Sequence, residues 1–220
     1  MNQPGLLIAI EGIDGAGKTT QVRLLKDSLE RVGAAPVVSK EPTDGPWGRR
    51  IKASAVEGRM SLEEELEAFV RDRTEHVAGL IGPALAEGRI VILDRYFPST
   101  VAYQGARGAD PDEIRRRMES LFPIPDLILI LDLEPEAGLH RVAHLRGDQP
   151  NSFENLETLS RARALFNQLG GTGVHRIDAT QPIAALHARI LEALSGLLSE
   201  RGASGRELAL KLRAAIPAPA

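Results

Sequence analysis

Gly12-Ile13-Asp14-Gly15-Ala16-Gly17-Lys18-Thr19 decides the fold. The stretch satisfies the Gly-x4-Gly-Lys-Thr phosphate-loop pattern. Its glycines permit backbone conformations that turn successive N–H groups inward as an anion nest. The helix expected after it adds the positive end of its dipole. Lys18 reaches the β- and γ-phosphates in such a loop, and the Thr19 hydroxyl suits Mg²⁺. The flanks supply the required context. Residues 6–10 are continuously apolar, as in a strand buried on both faces, and Val22, Leu24, Leu25 and Leu29 give helical spacing over 19–32. Gly12 through Thr19 are therefore expected to bind ATP.

Outward from the loop, strands and helices alternate. Residues 36–38 read as a second strand and the Pro/Gly-rich stretch 41–50 as a loop. A helical region follows over 62–85, broken near 79–83. Residues 90–93 form a third strand ending on Asp94, and 97–110 are mixed. Residues 111–121 read as a helix capped by Asp110. The run 127–131 is a fourth strand ending on Asp132, 135–145 a short helix, 153–169 another. Residues 174–177 make a weak fifth strand and 182–198 a closing helix. This pattern predicts an α/β fold: a five-stranded parallel sheet flanked by helices, three layers deep, of the P-loop NTPase type, with a short lid segment. The kinase domain is expected over 1–201, with its lid at about 138–153. Residues 202–205 read as a linker, 206–215 as a short helix and 216–220 as a frayed end.

The bulk numbers exclude several classes. A chain of 220 residues with formal net charge −3 offers no general surface for nucleic acid or an anionic membrane. There is no cysteine, which removes disulfides and thiolate metal sites and fits a cytoplasmic protein. No run is long and apolar enough to span a bilayer, and the N-terminus lacks the plan of a signal peptide. A GTPase would need a guanine-reading Asn-Lys-x-Asp segment, which is absent.

Asp94-Arg95-Tyr96 lies just past a strand, so its side chains belong at the carboxyl edge of the sheet beside the phosphates. Asp94 suits Mg²⁺, and Arg95 is a cation where an incoming phosphate would sit. Asp132 also ends a strand and competes for the metal. His140 and His144, four apart on a helix, read as a solvated polar face.

With these residues in place, the chain resembles the thymidylate kinase family. The matching segments are Glu11 to Gln21, Glu41-Pro42, Phe69 with Arg73, and Asp94-Arg95-Tyr96-Phe97-Pro98-Ser99-Thr100-Val101-Ala102-Tyr103-Gln104-Gly105. The resemblance implies ATP as donor, dTMP as acceptor, Mg²⁺ and a homodimer. It implies that Phe69 stacks on the thymine ring and that Arg73 hydrogen-bonds a base carbonyl. Arg95 would hold the acceptor phosphate, with Lys40 and Glu41 nearby. Thr100 and Gln104 would read the base edge, Tyr103 would crowd a ribose 2′-hydroxyl, and Asp14 would lie near the 3′-hydroxyl. Arg141 and Arg146 would be lid cations closing over ATP, with Lys18 and Arg95 completing the catalytic set. Read singly, Phe69 and Tyr103 could be core, and Arg73 and Arg141 surface charges.

The chain departs from the family in places. Lys40 stands where arginine is usual before Glu-Pro, and lysine lacks the bidentate fork. Thr43-Asp44-Gly45 replaces Gly-Gly-Thr. Asn151-Ser152 replaces an Asp-Arg pair before Phe153-Glu154, removing one expected lid cation. A kinase for another acceptor (dUMP or a deoxynucleoside) and a degenerate, non-catalytic ATP-binding module both stay open at this level.

Overall fold

The computed structural model describes residues 5–146 and 155–216. Five strands, β1 (Leu6–Glu11), β2 (Val37–Lys40), β3 (Ile90–Asp94), β4 (Leu127–Asp132) and β5 (Val174–Asp178), form one parallel sheet in the order β2-β3-β1-β4-β5. From β1 the chain goes to the edge strand β2, returns to β3 beside β1, and then crosses to β4 and β5 on the other side. The order reverses beside β1, and the crevice at the strands' carboxyl ends is where such sheets bind ligands. In β1, Leu6, Ile8 and Ile10 pack against α1 (Lys18–Arg31), α8 (Leu156–Gln168) and α9 (Ile183–Ser199). Leu7 and Ala9 alternate to the other face, toward α4 (Gly82–Ala86), α5 (Phe97–Ala106) and α6 (Pro111–Leu121). Burial on both faces is why β1, β3 and β4 read as near-continuous apolar runs, while the edge strands β2 (VVSK) and β5 (VHRID) are more exposed and mixed.

Three sequence expectations need correction. Residues 46–50 are not loop: α2 (Pro46–Glu57) begins there, with Pro46 in its first turn. That is the helix position where proline's missing N–H costs nothing. The stretch 97–110 is largely α5, in which nine of ten residues are buried. A helix wrapped on all sides has no polar face, so the 3.6-residue period disappears. The expected linker 202–205 opens α10 (Gly202–Ala214), which packs along α9. Gly205 is there for contact: a Cβ on it would lie 2.5 Å from the Leu198 carbonyl oxygen. The break near 79–83 is real but gentler than a stop. After α3 (Leu62–His76) the chain makes a π-helical turn, Val77–Ile81, and continues into α4.

Candidate active site

Residues 12–17 link β1 to α1. Gly12, Gly15 and Gly17 have positive φ, of 136°, 81° and 92°. Only glycine adopts these without strain. Gly15 also has no room for a side chain, because a Cβ would collide with the backbone of Gly138. Gly138 lies on α7 (Pro135–Arg146), whose first turn therefore rests directly on the phosphate loop.

Three cations from three elements converge on carbonyls of this loop. Lys18 Nζ donates to Ile13 O at 2.8 Å, Arg95 Nη1 to Gly12 O at 3.1 Å, and Arg141 Nη1 to Gly15 O at 3.3 Å. Arg141 also donates to Ala179 O at 3.1 Å. It thus rests against the phosphate loop and is not a free helix charge. Arg95 is the chain's non-glycine residue with positive φ, 70°, among the described residues. A bulky side chain there is held against its own preference, a common feature of functional turns.

Asp94 and Thr19 meet as well: Thr19 Oγ1 donates to Asp94 Oδ2 at 2.5 Å. A hydroxyl and a carboxylate at an open sheet edge form a hard oxygen donor set that fits Mg²⁺, which keeps several waters and takes its other ligands from phosphates. Asp132 is committed elsewhere, bound by Arg163 Nε at 2.7 Å and Nη2 at 3.2 Å. These contacts separate the two strand-end aspartates that competed for the metal.

Beside the loop lie two hollows. One, of about 870 Å³, runs along residues 15–21 between α7 and residues 179–183. His140 and His144 border it, exposed as expected of a solvated polar face, with their rings stacked 5.1 Å apart. Lys40 lines it too, exposed and 3.7 Å from Asp44. The second hollow, about 320 Å³, lies between α2, α3 and α5. Phe69, Arg73, Thr100 and Tyr103 line it, and Phe69 belongs to neither core cluster. The core reading of Phe69 therefore fails. Asp14, Glu41 and Arg95 line both hollows and form their common wall.

Arg73 is no surface charge; it is 1% exposed. Nε and Nη2 bind Glu41 Oε2 at 2.8 and 2.6 Å, and Nη2 also reaches Thr100 Oγ1 at 2.9 Å. Gln104 does not line the hollow. It is fully buried, donating Nε2 to Glu65 Oε2 at 2.8 Å, and its Oε1 has no partner among the described residues. Arg146 ends α7. The remainder of the expected lid, 147–153, falls outside the described residues.

Electrostatics follow from this packing. Burial works to raise the Asp14 pKa, but the charges of Arg95 and Lys18 and the Tyr103 hydroxyl outweigh it, so the carboxyl stays well below the usual range. Tyr103 OH donates to Asp14 Oδ2 at 2.8 Å, and Arg95 Nη2 to Oδ1 at 2.8 Å. Burial, with Arg95 adding to it, brings Lys18 down to about 8. Glu11 is pushed up to about 7 by burial, against the lowering by its Ser99 hydrogen bond and Arg95. Its oxygens accept from Tyr96 N at 2.8 Å and Ser99 Oγ at 2.5 Å. It thereby ties β1 to the turn that carries Arg95.

Sequence reasoning missed the supports. Asp72 is buried and takes Thr43 N at 2.9 Å and Thr43 Oγ1 at 2.6 Å, fixing the segment after Pro42. Glu65, fully buried, gathers Arg59, Arg107 and Gln104. His76 contacts Glu41 and Ser39. Apart from Arg59, six residues from Glu65, each partner is 29 or more residues distant, so only Arg73–His76 spacing on one helix face offered a signal.

A family model for thymidylate kinase matches residues 10–190. Similar proteins include the thymidylate kinase of Xanthomonas oryzae pv. oryzae (strain PXO99A), 53% identical over 203 residues covering 90% of this chain and 88% of that protein. That of Xanthomonas euvesicatoria pv. vesicatoria (strain 85-10) is 54% identical over 199 residues, 89% of this chain and 87% of the relative. That of Xylella fastidiosa (strain M23) is 50% identical over 196 residues, 89% and 88%. Identity of this order over nearly the whole of both chains, on a phosphate loop with an adjoining aromatic- and arginine-lined hollow, places the chain in the thymidylate kinase family.

Proposed function

We propose that the protein transfers the γ-phosphoryl group of ATP to dTMP, giving dTDP and ADP. One observation carries this reading: Asp14, Glu41 and Arg95 form a wall common to the phosphate-loop cleft and the smaller hollow. Two nucleotides seated in these hollows would meet phosphate to phosphate at that wall. A monophosphate carries close to two negative charges at neutral pH, since its second pKa is ~6. Its oxygen attacks the γ-phosphorus, the bond to the β-bridging oxygen breaks, and ADP departs with that electron pair. No base has to remove a proton. The work lies in positioning and in neutralising charge.

Residues 12–19 cradle the donor phosphates, with Lys18, Arg141 and Arg146 as donor-side cations. Arg95 and Lys40 take the acceptor phosphate. Phe69 stacks on the base, Arg73, Thr100 and Gln104 select its edge, Tyr103 closes the 2′ side and Asp14 meets the 3′-hydroxyl. Gln104 lies behind Glu65, so its part in this selection is indirect. Thr19 and Asp94 would hold Mg²⁺, which would offset part of the charge of the donor phosphates. The machinery lies within 1–201, with a lid over 138–153 and 202–220 appended. The enzyme works in the cytoplasm as a homodimer.

A coupled ADP-release assay over dTMP, dUMP and deoxynucleosides tests the reading. The thymine methyl is worth ~1–3 kcal/mol, so dUMP is expected to be the poorer acceptor by roughly 10–200-fold in kcat/KM. No turnover with dTMP, or a preference for an unphosphorylated nucleoside, would refute it.

A further inference from the structure

Glu41 is buried just past the end of β2, and both its oxygens are held from α3. Arg73 takes Oε2 through Nε and Nη2. One turn later on the same helix, His76 Nδ1 lies 3.0 Å from Oε1. His76 Nε2 lies 2.8 Å from Ser39 Oγ. Ser39 and Glu41 are two apart in sequence, so they leave the β2 backbone on the same side.

Donor and acceptor capacities fix the direction of this chain. An ionised carboxylate only accepts, so Nδ1 carries the proton. In neutral imidazole Nε2 then accepts, and the Ser39 hydroxyl donates to it. One tautomer satisfies both ring nitrogens.

The same accounting applies to Arg73. Its Nε and Nη2 are spent on Glu41 and Thr100. Its Nη1 faces Met118 Sδ at 3.3 Å, a weak acceptor. Nη1 is therefore the edge with hydrogen-bonding capacity left for a base carbonyl. Where that edge points depends on how Glu41 grips the opposite edge, and Glu41 is itself anchored by His76. Arg73 lines the hollow and His76 does not.

We infer that His76 is a positioning residue for the acceptor nucleotide: through Glu41, which sets its tautomer, it fixes the guanidinium of Arg73, and the Ser39 hydroxyl satisfies its other ring nitrogen. This rests on the assignment of the hollow to the acceptor, so the test carries its own control. His76→Asn keeps an N–H donor where Nδ1 stood. His76→Gln puts its amide where Nε2 stood, out of reach of Glu41. His76→Phe keeps ring volume alone. KM values for dTMP and ATP, kcat and the melting temperature are measured for each.

A hydrogen bond to a charged group is worth enough to raise the dTMP KM of the Gln and Phe variants about tenfold or more, with the ATP KM moving less than about twofold. The Asn variant is expected to stay near wild type. Equal losses in all three, a parallel rise in the ATP KM, or no change in the Phe variant overturns the inference. If the Phe variant does not fold, the contrast between Asn and Gln decides. Phe69→Ala separates the two layers of reasoning. If it leaves the dTMP KM unchanged, the hollow is misassigned. If it raises that KM while the His76 variants do not, only the role of His76 falls.

Discussion

The contact between α7 and the phosphate loop gives a prediction whose size can be worked from the structure. Gly138 sits in the first helical turns of α7, and a Cβ built there lies 2.5 Å from the Asp14 carbonyl oxygen and 3.3 Å from Ile13 Cδ1. The first neighbour is backbone and cannot swing away. Gly138→Ala must therefore part the helix from the loop by about 0.5 Å or more to reach a tolerable contact. Alanine gains about 1 kcal/mol in helix propensity over glycine, while overpacking costs about 1–3 kcal/mol. The net is a loss of up to about 2 kcal/mol, or a fall of some degrees in melting temperature at about 2–4 °C per kcal/mol for a chain of this size. The larger effect is on rate. The displaced residue is Asp14, which holds Arg95, and a misplacement of ~1 Å at such a site can cost ~10²-fold. A fall of about tenfold in kcat is expected, with smaller changes in either KM. Gly196→Ala is the matched control: that glycine is exposed on α9 with nothing within 4 Å of its would-be Cβ. It should stabilise by up to about 1 kcal/mol and leave kcat alone. Steady-state kinetics and thermal melts of both variants are the assay. Wild-type kcat and stability in Gly138→Ala would refute the claim that α7 sets the geometry of the loop.

Lys18→Ala should abolish transfer with little effect on melting temperature, since Lys18 spends its ammonium on the loop's own Ile13 carbonyl; retained kcat would remove the phosphate-loop assignment. Asp94→Asn should lower kcat and raise the Mg²⁺ concentration needed for half-maximal rate, whereas Asp132→Asn should loosen Arg163 and leave that requirement unchanged; the reverse pattern would exchange the two aspartates. Glu11 gives a pH dependence of definite sign. Its folded pKa, about 7, exceeds the ordinary 4.5, so between those values the unfolded chain releases the proton first. Stability is therefore lost as pH rises through this window, by at most about 3 kcal/mol, and Glu11→Gln should escape that loss. Denaturant melts of both proteins at pH 5 and 8 check it; a difference between them that does not change with pH would contradict the account.

Legibility in the sequence follows contact range. The three inner strands were readable because β1, β3 and β4 are nearly continuous apolar runs, the edge strands β2 and β5 less so because polar residues interrupt them, and Gly12 to Thr19 because its chemistry is contained in eight consecutive residues. Asp94 and Arg95 were readable because a strand end dictates where the next side chains lie. Helix α5 was not, because periodicity needs a solvent face and α5 has almost none. Phe69 was ambiguous for a related reason: helical spacing from Leu62 and Leu66 says which face a residue shares, but not whether that face meets core or cavity. Gln104 shows the limit of residue-by-residue carry-over, since its position matched while its side chain is turned to Glu65. The network of Ser39, Glu41, Arg73 and His76 was hidden because its halves come from a strand and a helix more than thirty residues apart.

The three cations on the phosphate loop bear on how the site can serve two polyanions in turn. Lys18, Arg95 and Arg141 each rest on a carbonyl of the loop that phosphates would enter. A carbonyl is a neutral acceptor, and a phosphate oxygen is a charged one with hydrogen bonds roughly twice as strong. Exchange of one for the other is therefore downhill, and the cations begin beside their destination, so little reorganisation opposes it. Arg95 differs from the other two. Besides Gly12 O it holds Asp14 and Ser99, and Ser99 is fixed by Glu11. To meet an acceptor phosphate it must share or surrender bonds that also shape residues 12–14 of the donor loop. An acceptor phosphate in the smaller hollow would thus be felt directly by the loop proposed to grip the donor. That coupling requires no distant signal, because Asp14 and Arg95 are already walls of both hollows.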